Sequence, residues 1–252
     1  MIDLKSDGHI HTSRCHHAVG SMEDYVQVAL ARGLEKIVFL EHLEVGIRYF
    51  ECTWLEPADF DDYFQEGRFL QKKYHNRIEI GLGVEVGFNP DGVDQILALL
   101  AQYPFERIGL SYHFMEVDGG HHNLVSRKAT NIEALGRIGV DEVVRRYFAT
   151  MLEAVTVIPG DVVCHLDAVM RYHPELRFTE ENNRQIRAIL QTMAEKEMAL
   201  EVNASGVRME IRREPFPARW IVEQALSMNI PLIAGSDAHR PEDVGRIEML
   251  GE

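Results

Sequence analysis

Asp7-Gly8-His9-Ile10-His11-Thr12 closes the first apolar run of this chain. Side chains of an extended segment alternate between two faces, so His9 and His11 are expected to point the same way. Two imidazoles aimed at one point suit a divalent metal that takes nitrogen ligands. The pair alone fits a surface segment equally well, because two histidines at this spacing also occur by chance. The metal-binding interpretation becomes stronger because later apolar runs of the chain also end at metal-binding side chains.

These later runs are interpreted as buried strands that alternate with amphipathic helices. The strands, each with the polar residues that follow it, are 36–40 with Glu41 and His42, 78–84 with Glu85, 107–111 with His113, 161–164 with His165, 198–202 with Asn203, and 230–235 with Asp237 and His239. Helices are predicted at about 21–33, 58–74, 93–100, 140–155, 179–196 and 217–228, with a short closing helix near Pro241. The polar segment from Glu116 to Arg137 is predicted as a loop with little core of its own.

Seven strands that alternate with helices predict parallel crossovers and an α/β fold. We predict a distorted (β/α)7 barrel, similar to a TIM barrel, because a barrel gathers functional groups from the ends of many strands. A doubly wound open sheet is the alternative. The length of 252 residues suits one barrel, and no low-complexity linker divides residues 1–252, so a single domain is expected.

Composition excludes several classes of protein. The net charge of −14 argues against a general binder of nucleic acid or of anionic membranes. Cys15, Cys52 and Cys164 are odd in number and form no CxxC pair, which favours reduced thiols over a disulfide framework. The charged amino terminus lacks a signal-peptide core, and no apolar stretch approaches the roughly 20 residues that span a bilayer. We therefore expect a soluble, cytoplasmic protein with no membrane partner.

Metal-binding side chains stand at or just beyond nearly every predicted strand end. They are His9, His11, His42, Glu85, His113, His165, Asp237 and His239, and His17 joins them from the first loop. Each alone has an ordinary explanation, such as a loop histidine or a helix-capping acid. In a parallel barrel, however, all these ends share one edge, so the side chains should converge. Nine ligands exceed the roughly four that one zinc ion takes, so we predict two or three divalent metals with Glu85 as the bridging carboxylate.

The combined motifs resemble the PHP (polymerase and histidinol phosphatase) family, and most closely its histidinol-phosphatase branch. The residues that carry this resemblance are His9-x-His11-Thr12 with His17, Glu41-His42, Gly83-Val84-Glu85, Ser111-Tyr112-His113, His165-Leu166-Asp167 and Gly235-Ser236-Asp237-Ala238-His239. The resemblance covers nearly the whole chain and implies a distorted seven-stranded barrel whose trinuclear metal site hydrolyses phosphate esters. The chain departs from the family at Glu41, where many relatives have Asp.

The resemblance also implies how the ligands are shared. One metal would be held by His9, His11, Glu85 and Asp237, a second by Glu85, His113 and His165, and a third by His17, His42 and His239. We prefer His17 to its neighbour His16 because its distance from His11 matches the family pattern. Mixed imidazole and carboxylate sets accept Zn, Mn and Fe, so the sequence leaves the metal open.

The predicted substrate is a small phosphate monoester, with L-histidinol phosphate preferred because of the branch that the motifs resemble. Arg171 and Arg208 lie in strand-exit loops, and similar arginines contact the phosphate in that branch, although either one alone fits a solvated loop residue better. Asp237, His239 and Glu85 are the predicted catalytic residues, and Asp237 or His239 would handle the proton. Tyr112, Phe114 and the His121-His122 loop are candidates to shape the organic end of the substrate.

Three alternatives remain open at this point. A PHP phosphoesterase of another small ester or of an oligonucleotide is one, although an exonuclease would need a basic track, which the net charge of −14 disfavours. An amidohydrolase also begins with a His-x-His strand, but no lysine stands at a strand end here. A non-catalytic metal-binding module is the third, and a turnover assay would separate it from an enzyme. The sequence makes no prediction of oligomeric state.

Overall fold

A computed structural model describes residues 2–173 and 176–247. In these ranges the strands are β1 (Ser6–Ile10), β2 (Lys36–Glu44), β3 (Glu79–Gly87), β4 (Ile108–Ser111), β5 (Phe114–Val117), β6 (Gly120–Asn123), β7 (Val162–Val163), β8 (Ala199–Asn203) and β9 (Leu232–Gly235). The α-helices are α1 (Met22–Ala31), α2 (Asp59–Tyr74), α3 (Val93–Gln102), α4 (Ala129–Ile138), α5 (Val140–Val157), α6 (Glu180–Glu195) and α7 (Arg219–Ser227). No helix among the described residues has the length and apolar character needed to cross a membrane.

The main sheet is parallel, and its seven strands follow the order β1-β2-β3-β4-β7-β8-β9. The first and last strands meet where the His11 N–H donates to the Ala238 carbonyl at 2.9 Å. The buried Asp7 secures this seam, because its carboxylate accepts the Ser236 N–H at 2.9 Å and the Gly245 N–H at 2.7 Å. The sheet thereby curls into a nearly closed barrel, which confirms the predicted distorted (β/α)7 fold.

Strand alternation places the polar residues inside this barrel. Along β2, Val38 and Leu40 belong to a small apolar cluster in the interior with Val162 and Cys164. Because side chains on one face of a strand are two residues apart, His42 and Glu44 continue the same inward row. Glu85 takes the matching place on β3, since it pairs in register with His42. The interior is therefore apolar towards the amino ends of the strands and polar at their carboxyl ends.

Helices cover the outer face of the sheet, and six of the seven α-helices in the described residues begin within two residues of a predicted start. At the start of α1, Ser21 and Asp24 form a capping box, and Thr179 with Asn182 forms another at α6. Such reciprocal bonds satisfy backbone N–H groups that have no partner within the helix. On the sheet side of α2, the fully buried Tyr63 donates its hydroxyl to the Gly83 carbonyl at 2.8 Å, which ties this helix to β3.

The segment from Glu116 to Arg137 is not the loop that the sequence analysis predicted. It contains most of a β5–β6 hairpin and most of helix α4, and Leu124 and Leu135 from it are buried in the main core. The hairpin turns at Asp118 and Gly119, which have φ values of 52° and 80°. Asp-Gly suits this two-residue turn because both positions need positive φ. The dipeptide was a hairpin signal that the segment's polar composition obscured.

Three further boundaries differ from expectation. Strand β2 extends to Glu44 and β3 extends to Gly87, so His42 and Glu85 lie within strands rather than after them. The predicted closing helix is, in the described residues, a single 3-10 turn at Pro241–Asp243. Continuous pairing of β2 with β3 explains the longer strands, because interior polar residues do not interrupt a backbone ladder.

Candidate metal centre

The nine predicted ligands meet at the carboxyl ends of the barrel strands. Seven imidazole rings form a closed circuit of neighbours in the order His17, His42, His113, His165, His9, His11 and His239. Adjacent ring centres in this circuit are 4.4–5.9 Å apart. The structure therefore brings together side chains from both ends of the chain, as the barrel prediction requires.

Glu85 lies at the centre of this circuit and is fully buried. Its Oε1 is 2.9 Å from His165 Nε2 and 3.3 Å from His113 Nε2. Its Oε2 is 2.9 Å from His42 Nδ1 and 3.5 Å from His9 Nε2. Burial alone would raise the pKa of Glu85, but the surrounding imidazoles hold it well below the usual range. Glu85 is thus an ionised carboxylate that faces several ring nitrogens at once.

The donor set fits divalent cations. His9 Nε2 and His11 Nε2 are only 2.9 Å apart, and Asp237 Oδ1 lies 3.4 Å from His11 Nε2. Glu85 Oε2 is buried without a hydrogen-bond partner, although ring nitrogens surround it. Groups whose ligand atoms could hold one ion include His9-His11-Asp237, His11-His42-Glu85 and His17-His42-His239. Nitrogen and carboxylate oxygen atoms this close to one another match the ligands of Zn and related metals.

His17, and not His16, is the histidine of the first loop that joins the cluster. Its ring centre is 5.2 Å from that of His42 and 4.5 Å from that of His239. The Nδ1 of His17 faces the Cys15 carbonyl at 2.9 Å, which leaves Nε2 for the cluster. His16 has a left-handed backbone with φ 63° and ends the short 3-10 turn before it.

Both predicted arginines lie beside the histidine circuit. Arg171 lines a cavity whose wall includes His165, Asp237 and His239, and it also lines a second cavity that contains Arg208. Arg208 Nη2 donates to the Ser236 carbonyl at 2.9 Å, whereas its Nη1 is buried without a partner. A guanidinium with a free N–H is suited to an anion, and Arg208 presents one at the edge of the histidine circuit.

The residues suggested for the organic end of the substrate separate into two groups. Phe114 lines the cavity beside the metal cluster, together with Thr53 and Asn123. Tyr112 and His121 line a neighbouring cavity on the other side of Phe114. Only Phe114 of these candidates therefore borders both spaces.

Two buried carboxylates contact the histidine circuit and were missed by the sequence analysis. Glu44 Oε1 is 2.7 Å from His113 Nδ1, and Glu201 Oε1 is 2.7 Å from His9 Nδ1. Each was visible as an acidic residue in a run with strand character, Glu201 between Leu200 and Val202. An acid inside a buried strand is costly unless it has a partner, which was the available signal.

Glu41 lies outside the circuit and is the basis of a stability prediction. Its Oε1 accepts the Thr12 N–H at 2.9 Å, while its Oε2 is buried without a partner. Burial raises the pKa of Glu41 to about 8, in spite of the hydrogen bonds from Thr12. A carboxyl whose folded pKa exceeds its unfolded value binds protons preferentially in the folded state, so its ionisation opposes folding as the pH rises from about 4.5 to about 8.

We therefore expect Glu41→Gln to stabilise the metal-free protein in a pH-dependent manner. Its advantage over the wild type in the free energy of unfolding should be small at pH 5 and about 2–4 kcal/mol at pH 9. Denaturant titrations in the presence of a chelator measure this difference. An advantage that stays constant between these two pH values would contradict a buried, protonated Glu41.

Two protein-family models together match most of this chain. The model of the PHP domain matches residues 7–205, and a model described as PHP-associated matches residues 222–249. Histidinol-phosphatase of Bacillus subtilis is 28% identical over 256 residues, which cover 96% of this chain and 96% of the relative.

Solved structures show the same fold. A Listeria monocytogenes protein described as a candidate histidinol phosphatase superposes with a TM-score of 0.86 at 23% identity, over 96% of this chain and 97% of that one. Histidinol phosphate phosphatase of Lactococcus lactis, solved with zinc, L-histidinol and phosphate, superposes with a TM-score of 0.76 at 23% identity. That superposition covers 97% of this chain and 91% of the other.

Proposed function

We propose that this chain, which belongs to the PHP domain family, is a metal-dependent phosphomonoesterase that hydrolyses L-histidinol phosphate to L-histidinol and phosphate. The observation that carries the proposal is the closed circuit of seven imidazoles around the ionised Glu85. A relative of almost equal length is named for this reaction. The reaction would place the chain in histidine biosynthesis, with residues 1–252 acting as one domain.

The nine cluster residues would hold two or three divalent metals, and Zn, Mn and Fe all suit this donor set. The first metal would use His9, His11, Glu85 and Asp237, the second Glu85, His113 and His165, and the third His17, His42 and His239. The short distances from Glu85 to rings on both sides support its role as the shared carboxylate. Bound metals would lower the pKa of a water molecule and neutralise charge on the phosphoryl oxygens.

Side chains beside the metal ligands would bind the phosphoryl group and transfer the proton. Arg171 and Arg208 would bind the phosphoryl group, since both border cavities that contain Asp237 and His239. Burial and the neighbouring His42 lower the pKa of His239 to about 4, so its imidazole is neutral near pH 7. The imidazoles around Asp237 keep its pKa well below the usual range in spite of burial. Before metals bind, both side chains are therefore unprotonated near pH 7, and Asp237 or His239 would handle the proton in the reaction.

A phosphate-release assay tests this proposal directly. Purified protein is stripped with a chelator, reloaded with Zn, Mn or Fe, and offered L-histidinol phosphate, an aryl phosphate and a short oligonucleotide. We expect release from L-histidinol phosphate that disappears on stripping and returns on reloading. Metal-loaded protein that binds its ions but cleaves none of these esters would indicate a non-catalytic metal-binding module. Cleavage of the oligonucleotide alone would indicate a nuclease.

A further inference from the structure

We propose that Glu44 and Glu201 are positioning residues that fix the ring orientation and the tautomer of His113 and His9. We further propose that Gly87 and Gly235 are required because they provide the space in which these carboxylates sit. The inference rests on the proposed metal centre and concerns two residues that contact its ligands.

Glu201 connects two ligands that are far apart in the sequence. Its Oε1 faces His9 Nδ1 at 2.7 Å, and its Oε2 accepts the backbone N–H of His165 at 2.8 Å. The side chain is fully buried. Both carboxylate oxygens are therefore in use, one on the ring of the first ligand and one on the backbone that carries the second.

Glu44 has a similar place at another histidine of the circuit. Its Oε1 faces His113 Nδ1 at 2.7 Å, and its side chain is only 2% exposed. The other ring nitrogen of His113 points at Glu85, 3.3 Å away. Each of these two histidines thus has a carboxylate on Nδ1 and the central Glu85 on the Nε2 side.

This arrangement decides which ring nitrogen is available to a metal. A carboxylate on Nδ1 accepts a hydrogen bond from Nδ1–H, which leaves the lone pair on Nε2. Two other ligands lack such a partner, because Nδ1 of His11 and Nδ1 of His165 are buried without a hydrogen bond. Glu44 and Glu201 therefore act on particular members of the circuit and are not a general feature of it.

Two glycines make room for the carboxylates. Gly87 pairs in register with Glu44, and a Cβ at Gly87 would lie 2.0 Å from Glu44 Oε1. A Cβ at Gly235 would lie 2.0 Å from Glu201 Oε1. Neither glycine has a positive φ among those recorded for the described residues, so backbone conformation does not explain them. The space that each carboxylate needs explains why both positions are glycine.

The positive charge that compensates these buried acids has to come from the histidines that they face. Among the described residues, neither Glu44 nor Glu201 forms an ion pair with Lys or Arg. A buried carboxylate without a compensating positive charge is strongly destabilising. Histidines that carry metal charge on Nε2 would supply this compensation through Nδ1–H.

The test compares Glu201→Gln with Glu44→Gln. A glutamine has one acceptor oxygen, so at position 201 it must lose either the His9 ring or the His165 N–H, whereas at position 44 its oxygen can still accept from His113. We expect zinc affinity, measured by competition with a chelating dye, to fall about 10–100-fold in Glu201→Gln. Glu44→Gln should lose less. In the zinc-loaded protein, ¹⁵N NMR of labelled histidine should show the hydrogen-bonded Nδ1–H of His9 in the wild type and its change in Glu201→Gln.

Gly235→Ala and Gly87→Ala test the same idea without removing a charge. We expect both to weaken zinc binding, because the added methyl would occupy the position of a carboxylate oxygen. Gly87→Ala is the more specific of the two, since a Cβ at Gly235 would also lie 2.9 Å from His9 Cβ. Gly136→Ala is the matched control, since a Cβ there meets nothing within 4 Å and its zinc affinity should equal that of the wild type. If an alanine variant fails to fold, the isosteric glutamine variants decide the question.

The outcomes separate the two proposals. Wild-type zinc affinity and an unchanged Nδ1–H signal in both glutamine variants would overturn the positioning role while leaving the metal centre intact. Wild-type protein that binds no zinc, manganese or iron would instead overturn the proposed function.

Discussion

Glu85→Gln is expected to lower kcat for phosphate release by roughly 10³-fold and to reduce the metal content of the purified protein. The substitution keeps the shape of the side chain but removes the negative charge that faces His9, His42, His113 and His165. It also removes the carboxylate that would be shared between metals. Steady-state kinetics together with elemental analysis of the same preparation measure both effects.

Glu79→Gln is the control for this prediction. Glu79 begins the same strand, β3, but its side chain is 66% exposed and pairs with Lys36. We expect kcat and metal content to remain at wild-type levels in this variant. A Glu85→Gln protein that kept its full metal complement and a kcat within tenfold of the wild type would show that Glu85 is not the shared ligand.

Arg208→Met should lower kcat/KM for L-histidinol phosphate by about 10²–10³-fold. The guanidinium has a buried Nη1 without a partner and lies in the cavity that Arg171 shares, so its loss removes a charge-assisted bond to the phosphoryl oxygens. Arg208→Lys should recover only part of this loss, because an ammonium group cannot present two parallel N–H donors. Initial rates at several substrate concentrations give the values.

The design separates phosphate binding from structural damage. Arg208 Nη2 also holds the Ser236 carbonyl at 2.9 Å, so metal content and thermal unfolding must be measured on each variant. Arg219→Met is the control, since Arg219 is 92% exposed and pairs with Glu223 on helix α7. Wild-type kcat/KM in Arg208→Met would exclude Arg208 from substrate binding.

Much of the site could be predicted because its ligands follow a local rule. The ends of buried strands are visible as apolar runs that stop at a histidine or an acid, as at His113 and His165. Parallel crossovers bring such ends to one side of the sheet, so their convergence follows from chain order. The same reasoning failed for residues 116–137, where polar composition hid a hairpin and a helix that pack on the core.

The amino-acid sequence by itself determined the alternation of strands and helices, the fold class and the residues that line the open end of the barrel. These depend on side-chain periodicity and on short connections, which are local properties of the chain. Tertiary structure alone decided that Glu201 faces His9 and that Glu44 faces His113. Glu201 on β8 meets His9 across 192 residues, and that contact exists only because the nearly closed barrel brings β1 next to β9, the neighbour of β8, and leaves space at Gly235. Contacts of this kind depend on packing over the whole molecule, so no single stretch of sequence specifies them.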